Sequence, residues 1–282
     1  MYTLNCKGRL LTLDKPSVMG IINVNTDSFY ANSRQMNKDA IQQKAAQMLD
    51  EGARYIDIGG QSTHPQSPRV SPAEEISRVV PAIEVILAAF PDTIVSIDTY
   101  YSEVAAAAVQ AGALIVNDIS SGALDSNMLS TVADLEVPYI AMHMRGNPNT
   151  MAGLTDYEDV TQAVLDYFTE KIARFVSAGI KDLIIDPGFG FAKSLDQNYQ
   201  LLSQLEYLHI FDRPVLVGLS RKSMIYKALN IRAEDALTGT TALNTYALQK
   251  GAHILRVHDV KAAVEVTALM GKLGTATAQP GL

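Results

Sequence analysis

The 282-residue sequence contains one cysteine and no tryptophan. A lone thiol excludes an internal disulfide, so burial must hold the fold together, and the usage fits a reducing compartment. Cys6, within Leu4-Asn5-Cys6-Lys7-Gly8, is expected to be structural rather than a nucleophile. Charge is sparse, at 19% of residues with a net value of -7. That balance excludes a general nucleic-acid or membrane-surface binder. It leaves room for a local basic pocket at Arg221-Lys222 and Arg256. No apolar run approaches the ~20 residues of a membrane span. No basic segment with an apolar stretch and a small-residue cleavage site reads as a signal peptide, so the cytoplasm is the expected location. Low-complexity segments and interdomain linkers are missing too, and residues 1–282 are expected to form one domain with a frayed tail over 273–282.

What is present is a repeating alternation. Tyr2–Cys6 and Arg9–Leu13 flank Lys7-Gly8 and predict a short N-terminal hairpin, residues 1–14. Eight apolar runs then predict strands at Val18–Ile22, Tyr55–Ile58, Ile94–Ile97, Leu114–Val116, Tyr139–Met142, Leu183–Ile185, Val215–Val217 and His253–Val257. Helices are predicted over Asn37–Glu51, from Pro72 behind an N-cap Ser71, and over Ser102–Gln110, Tyr157–Ser177 and Ala233–Lys250. Four helix ends share one signature, a glycine followed by Ala or Ile and then a strand: Gly52-Ala53, Gly112-Ala113, Gly179-Ile180 and Gly251-Ala252. Eight βα units imply an α/β fold, a (β/α)8 TIM barrel behind a short N-terminal β-hairpin. An open doubly wound sheet is the alternative, but it would want a Gly-rich phosphate loop where Asn23-Val24-Asn25-Thr26-Asp27 stands.

Barrel enzymes carry their chemistry at the carboxyl ends of the strands. Here those ends are Asn23, a second strand that carries Asp57 and runs into Gly59-Gly60-Gln61-Ser62-Thr63-His64-Pro65, Asp98-Thr99, Asn117-Asp118, Met142-His143-Met144-Arg145, Asp186-Pro187-Gly188-Phe189-Gly190-Phe191, Ser220-Arg221-Lys222-Ser223 and Arg256-Val257-His258-Asp259. A single Asp after a strand is often only a helix N-cap, an even prospect for Asp118 and Asp259. Eight polar ends of mixed chemistry are not explained that way. Asp98, Asn117 and Asp186 suit a flat heterocycle rich in N–H donors, with Lys222 adding a donor and a charge. Arg256, His258 and Asn23 would form a separate polar corner, at the position where barrels often bind phosphate. The residues therefore point to a polar heterocycle beside a phosphorylated group.

In this order, the motifs resemble the dihydropteroate synthases of the pterin-binding barrel family over roughly residues 18 to 270. Asp186-Pro187-Gly188-Phe189-Gly190-Phe191, Ser220-Arg221-Lys222-Ser223 and Arg256-Val257-His258-Asp259-Val260 are the most specific part. The resemblance implies a transferase of folate biosynthesis that joins 6-hydroxymethyl-7,8-dihydropterin pyrophosphate to p-aminobenzoate, and a target of sulfonamides. It implies pterin contacts from Asp98, Asn117, Met142, Asp186 and Lys222, and pyrophosphate contacts from Asn23, Thr63, Arg256 and His258, with Mg2+ at Asn23. It implies an aminobenzoate pocket bordered by Phe29, Thr63, Pro65, Phe191 and Ser223, a catalytic set of Asp98, Lys222, Asp27 and Arg256, and a homodimer. No protein nucleophile is required, which agrees with the lack of a Ser/His/Asp or Cys/His constellation.

Two loops depart from the family pattern. The first lacks the usual Pro and Gly pair within Asn25–Ser33, and the second carries His64 where the family has Arg. A paralogue with altered aminobenzoate or sulfonamide discrimination, or with little synthase activity, is the alternative these changes leave open. A folate-to-corrinoid methyltransferase would have no use for the phosphate corner. A pterin-binding module without turnover would need no intact second site. His143 and His253 are expected to be structural, and His209 to have no role.

Overall fold

The computed structural model describes residues 1–24, 34–61 and 69–277. A two-stranded antiparallel hairpin, β1 (Tyr2–Cys6) and β2 (Arg9–Leu13), precedes the barrel. Eight parallel strands follow: β3 (Ser17–Asn23), β4 (Tyr55–Gly59), β5 (Ile94–Asp98), β6 (Ile115–Asp118), β7 (Tyr139–Met142), β8 (Leu183–Asp186), β9 (Leu216–Val217) and β10 (Ile254–Val257). They run in the order β8-β7-β6-β5-β4-β3-β10-β9, and an Ile185–Val215 bridge brings the two ends together. The barrel is the one the sequence predicts.

The surrounding helices are α1 (Arg34–Asp50), α2 (Pro72–Ala89), α3 (Ser102–Gln110), α4 (Met128–Leu135), α5 (Val160–Ser177), α6 (Leu195–Ser203), α7 (Ser223–Leu229), α8 (Leu237–Gln249) and α9 (Val260–Thr277). The four glycine signatures have one cause. Gly52, Gly112, Gly179 and Gly251 all have φ between +88° and +113°. Each glycine N–H, and that of the residue after it, reaches back to carbonyls of the last helical turn, as in Ala53 N to Met48 O at 2.9 Å and Ala252 N to Ala247 O at 2.9 Å. This is the Schellman stop, which turns the chain from helix into strand.

α1 begins at Arg34, three residues before the expected Asn37, and two further helix starts differ for reasons the structure shows. α5 begins at Val160, because Asp159 caps Gln162 N at 2.9 Å, while Tyr157 lies under the Arg145 guanidinium, 3.6 Å from its ring centre. The helix predicted over Ala233–Lys250 is divided into a 3-10 turn, Ala233–Asp235, and α8. The Arg221 side chain donates to the Glu234 carbonyl at 3.2 Å, drawing that turn out of the helix. α9 continues to Thr277, and residues 278–282 lie outside those described.

Strand pleat positions the site. Met19, Tyr55, Ile94, Ile115, Ile140, Ile184, Leu216 and Ile254, one from each barrel strand, form a buried apolar cluster with Leu4, Cys6, Leu11 and Leu13 of the hairpin. The hairpin thus closes the amino-terminal end of the barrel. Alternate residues on a strand share a face, so two positions further along each strand the side chain again points inward. Those positions hold Ile21, Asp57, Ser96, Asn117, Met142, Asp186, Gly218 and Arg256. An apolar floor gives way to a polar layer within one pleat.

Candidate active site

Asp57 is the centre of the polar layer and is completely buried. Its Oδ2 accepts from Asn117 Nδ2 at 3.0 Å and from Arg256 Nε at 2.6 Å. The Nη2 of the same guanidinium donates to Asp98 Oδ2 at 2.5 Å. The sequence predicts a separate polar corner for Arg256, whereas the structure draws its guanidinium into the polar layer. It bridges the strand-end carboxylates of β4 and β5. Burial works against the guanidinium charge, but Asp57 and Asp98 outweigh it and hold the group above its ordinary value. Asp98 is pushed up by burial, opposed by Arg256 and reinforced by the carboxylates of Asp57, Asp118 and Asp186.

Asp186 Oδ1 accepts from Gly188 N at 2.7 Å, and Gly188 has φ +72°. A Cβ there would lie 2.0 Å from the His143 carbonyl oxygen, so the close approach of the β7 and β8 loops requires glycine. Burial raises the Asp186 carboxyl, and Lys222 is the main opposing charge. Lys222 reaches across from the β9 loop to donate to the Phe189 carbonyl, with its ammonium 4.8 Å from the centre of the Phe191 ring. Burial lowers it to about 8. Met142 lies in a buried apolar cluster with Tyr100, Ile119, Met144, Met151 and Ala192, and Phe191 packs against the same cluster.

On the other side, His258 donates its backbone N–H to Ser220 Oγ at 3.1 Å, and its Nδ1 lies 3.0 Å from that hydroxyl. Burial and Arg256 both lower its pKa, so the ring is neutral near pH 7. Ser223 opens α7 and is half-buried. Asn23 ends β3 in register with Gly59, which is in register with Asp98. Since Gly59 has no side chain, little separates Asn23 Oδ1 from the Asp98 carboxylate across that strand. These oxygen donors fit a hard cation such as Mg2+, which commonly binds through few protein groups and substrate phosphates. Among the described residues, no group of three or more His, Cys, Asp or Glu could hold a metal ion.

Thus Asn23, Asp98, Asn117, Met142, Asp186, Lys222, Arg256 and His258 all project from the carboxyl ends of the barrel strands or the loops that follow. Asp27, Phe29, Thr63 and Pro65, with His64, lie outside the described residues. Asp118 is occupied locally, accepting from Ser120 N, Gly122 N and Tyr139 Oη, each at 2.7 Å. Asp259 takes both arms of Arg221, at 2.9 and 2.6 Å, which leaves Lys222 as the basic group of that pair facing the site. His253 accepts from Val215 N at 3.1 Å and stacks edge-on with Tyr2, a structural position as expected.

From the sequence, Asp57 stands on its strand without a role, which the pleat from Tyr55 supplies, and Lys193 is missed altogether. Lys193 is buried, with Nζ 2.9 Å from His143 Nδ1, 2.9 Å from Gly188 O and 3.1 Å from Phe191 O. Burial lowers it to about 7 and lowers His143 to about 2. The amino group ties the β7 end to the loop carrying Phe191.

The pterin binding enzyme family matches residues 19–258. The chain is 44% identical over 264 residues to dihydropteroate synthase of Escherichia coli K12, covering 93% of each chain. Among solved structures, Yersinia pestis dihydropteroate synthase in a sulfonamide complex is 42% identical with a TM-score of 0.90, covering 98% of this chain and 100% of that one. Xanthomonas albilineans dihydropteroate synthase with 4-aminobenzoic acid is 40% identical with a TM-score of 0.88, covering 99% of both.

Proposed function

The chain belongs to the pterin binding enzyme family and, within it, to the dihydropteroate synthases, and from that premise we propose that it condenses 6-hydroxymethyl-7,8-dihydropterin pyrophosphate with p-aminobenzoate. The products are 7,8-dihydropteroate and pyrophosphate, a transferase step of folate biosynthesis. The observation that carries this reading is the convergence of Asp98, Asn117, Asp186, Lys222 and Arg256 on one end of the barrel. Identity of 44% across 93% of both chains favours the synthase over a pterin-binding paralogue with drifted loops.

Asp98, Asn117, Asp186 and Lys222 hold the pterin edge, with Met142 packed beside it. Asn23, Thr63, Arg256 and His258 hold the pyrophosphate, and Phe29, Thr63, Pro65, Phe191 and Ser223 border the aminobenzoate. The methylene C–O bond breaks and pyrophosphate leaves with the electron pair. The amine nitrogen then attacks the pterin-stabilised cation and releases a proton. Asp98 and Asp186 favour the cation electrostatically, while Arg256 and His258 favour the departing anion. Lys222 completes the pterin floor, and Asp27, on the first loop, joins Asp98, Lys222 and Arg256 in the catalytic set. Mg2+, met by Asn23 and the phosphates, would supply charge compensation for the leaving group.

The enzyme is a cytoplasmic homodimer in this reading. The single, buried thiol of Cys6 suits a reducing compartment. Leu229, Leu237 and Leu269, exposed on α7, α8 and α9, supply apolar surface for a pairing. Among the described residues, no helix is long and apolar enough to cross a membrane.

The test is to incubate the protein with the dihydropterin pyrophosphate and Mg2+, and to follow pyrophosphate release with and without p-aminobenzoate. Amine-dependent release with dihydropteroate formed is expected. Pterin binding without amine-dependent release would overturn the reading.

A further inference from the structure

Asp57 makes no substrate contact in the reading above, yet it joins the two halves of the site. We propose that Asp57 is a positioning residue that couples pterin binding to pyrophosphate binding, by retaining Arg256 while the pterin displaces it from Asp98. The inference rests on the assignment of Asp98 to the pterin and Arg256 to the pyrophosphate.

The Arg256 guanidinium takes Asp98 Oδ2, one of the two acceptor oxygens that this carboxylate can offer a heterocycle N–H. Guanidinium and pterin therefore compete for Asp98. With Asp98 as its only anchor, the displaced guanidinium would be a buried cation without a partner, which is strongly unfavourable. Asp57 removes that penalty. Its Oδ2 keeps Arg256 Nε at 2.6 Å, and its buried Oδ1 has no partner among the described residues. That oxygen can accept from an N–H turned away from Asp98, while the rest of the fork faces the phosphates.

The same Oδ2 takes Nδ2 of Asn117. This fixes the amide so that its carbonyl oxygen remains for the ligand. One oxygen of Asp57 thus orients a pterin contact and a pyrophosphate contact together. Pterin frees Arg256 for pyrophosphate, and pyrophosphate, by drawing Arg256 away, frees Asp98 for pterin. Such coupling is reciprocal by thermodynamic necessity.

The experiment uses the full chain and two probes, 6-methylpterin, which has no pyrophosphate arm, and inorganic pyrophosphate with Mg2+. Calorimetric titration of pyrophosphate with and without saturating pterin gives the coupling directly. In the unaltered protein the pterin should tighten pyrophosphate binding about tenfold. In Asp57→Asn the effect should fall to roughly twofold or less, with thermal melting confirming that the variant is folded. Arg256→Lys, which keeps the charge but loses the planar fork that lets Nε stay on Asp57 while the other N–H groups turn to the phosphates, should lose it too and serves where Asp57→Asn does not fold. Independent binding in the unaltered protein, or undiminished coupling in a folded Asp57→Asn, would overturn the proposal. Failure of the pterin itself to bind, read from its own fluorescence, would instead remove the site reading and the coupling with it.

Discussion

Asp98 ends its strand among three other carboxylates, and the Arg256 guanidinium is what makes that tolerable. Asp98→Asn removes the charge that favours a pterin cation while keeping the shape. It should lower kcat by about 10²-fold or more, with a smaller change in KM for aminobenzoate; steady-state kinetics for each substrate would separate the two. Glu75, in the first turn of α2, is a second buried acid, 1% exposed. Burial and Asp98 raise it from 4.5 to about 7, against Thr99 and Arg78. A carboxyl whose folded value is raised favours folding most below its unfolded value, and that contribution is lost as pH rises through the folded value. Glu75→Gln does not titrate. Its stability relative to the unaltered chain should therefore be nearly level at pH 5 and grow in its favour up to pH 9, by at most roughly 3 kcal/mol. Urea unfolding at both pH values measures this, and a difference independent of pH would refute it. Much of this scale was legible, because Asp98, Asn117, Asp186 and Lys222 stand at strand ends. The role of Asp57 was not, because it lies inside its strand, and only the pleat parity set by Tyr55 shows that it points inward. Glu75 resembled an ordinary first-turn helix acid, since burial depends on what the rest of the chain places over it.

The elements were legible where one residue decides the backbone. Each of the four Schellman glycines marks its helix end because few other residues adopt φ near +100°. α6 carries a capping box as clear as any, with Ser194 and Gln197 bonded to each other's backbones, a signal the sequence offers just after the Asp186–Phe191 run. The 3-10 turn at Ala233–Asp235 was illegible for another reason. Its cause, the Arg221 side chain, comes from the loop before α7, outside the helical segment itself. The β8 loop shows what one buried side chain does for function. Lys193 secures the Gly188 and Phe191 carbonyls, and Phe191 is assigned to the aminobenzoate wall. Lys193→Met would keep the bulk and remove the hydrogen bonds. KM for aminobenzoate should rise about tenfold or more, from the loss of two or three such bonds, with pterin affinity changed less than about threefold. Equal losses in both affinities would mean that Lys193 supports the whole barrel end rather than this loop.

At the scale of the molecule, the hairpin decides whether the barrel is closed or open at its amino-terminal end. Leu4, Cys6, Leu11 and Leu13 are each at most 4% exposed and rest on one apolar residue from every barrel strand. Two polar ties fasten the edges, Asn5 N to Asp182 Oδ2 at 3.2 Å and Arg9 Nη1 to Asp92 O at 3.0 Å. Burying four such side chains is worth roughly 6–10 kcal/mol, comparable with the total stability of a domain. The hairpin should therefore open only when the barrel unfolds. Cys6 reports on this because it is the only thiol in the chain. Burial raises it to about 11, so at pH 8 only about one thiol in a thousand would be ionised even if reached. A disulfide reagent such as dithionitrobenzoate should label the native protein at the rate of global unfolding, and the labelling should accelerate with urea as steeply as unfolding itself. If labelling were instead fast, weakly dependent on urea and without loss of activity, the hairpin would be a separable lid. The apolar floor beneath it would then have to be stable when exposed to water, which the packing of eight large side chains against the hairpin argues against.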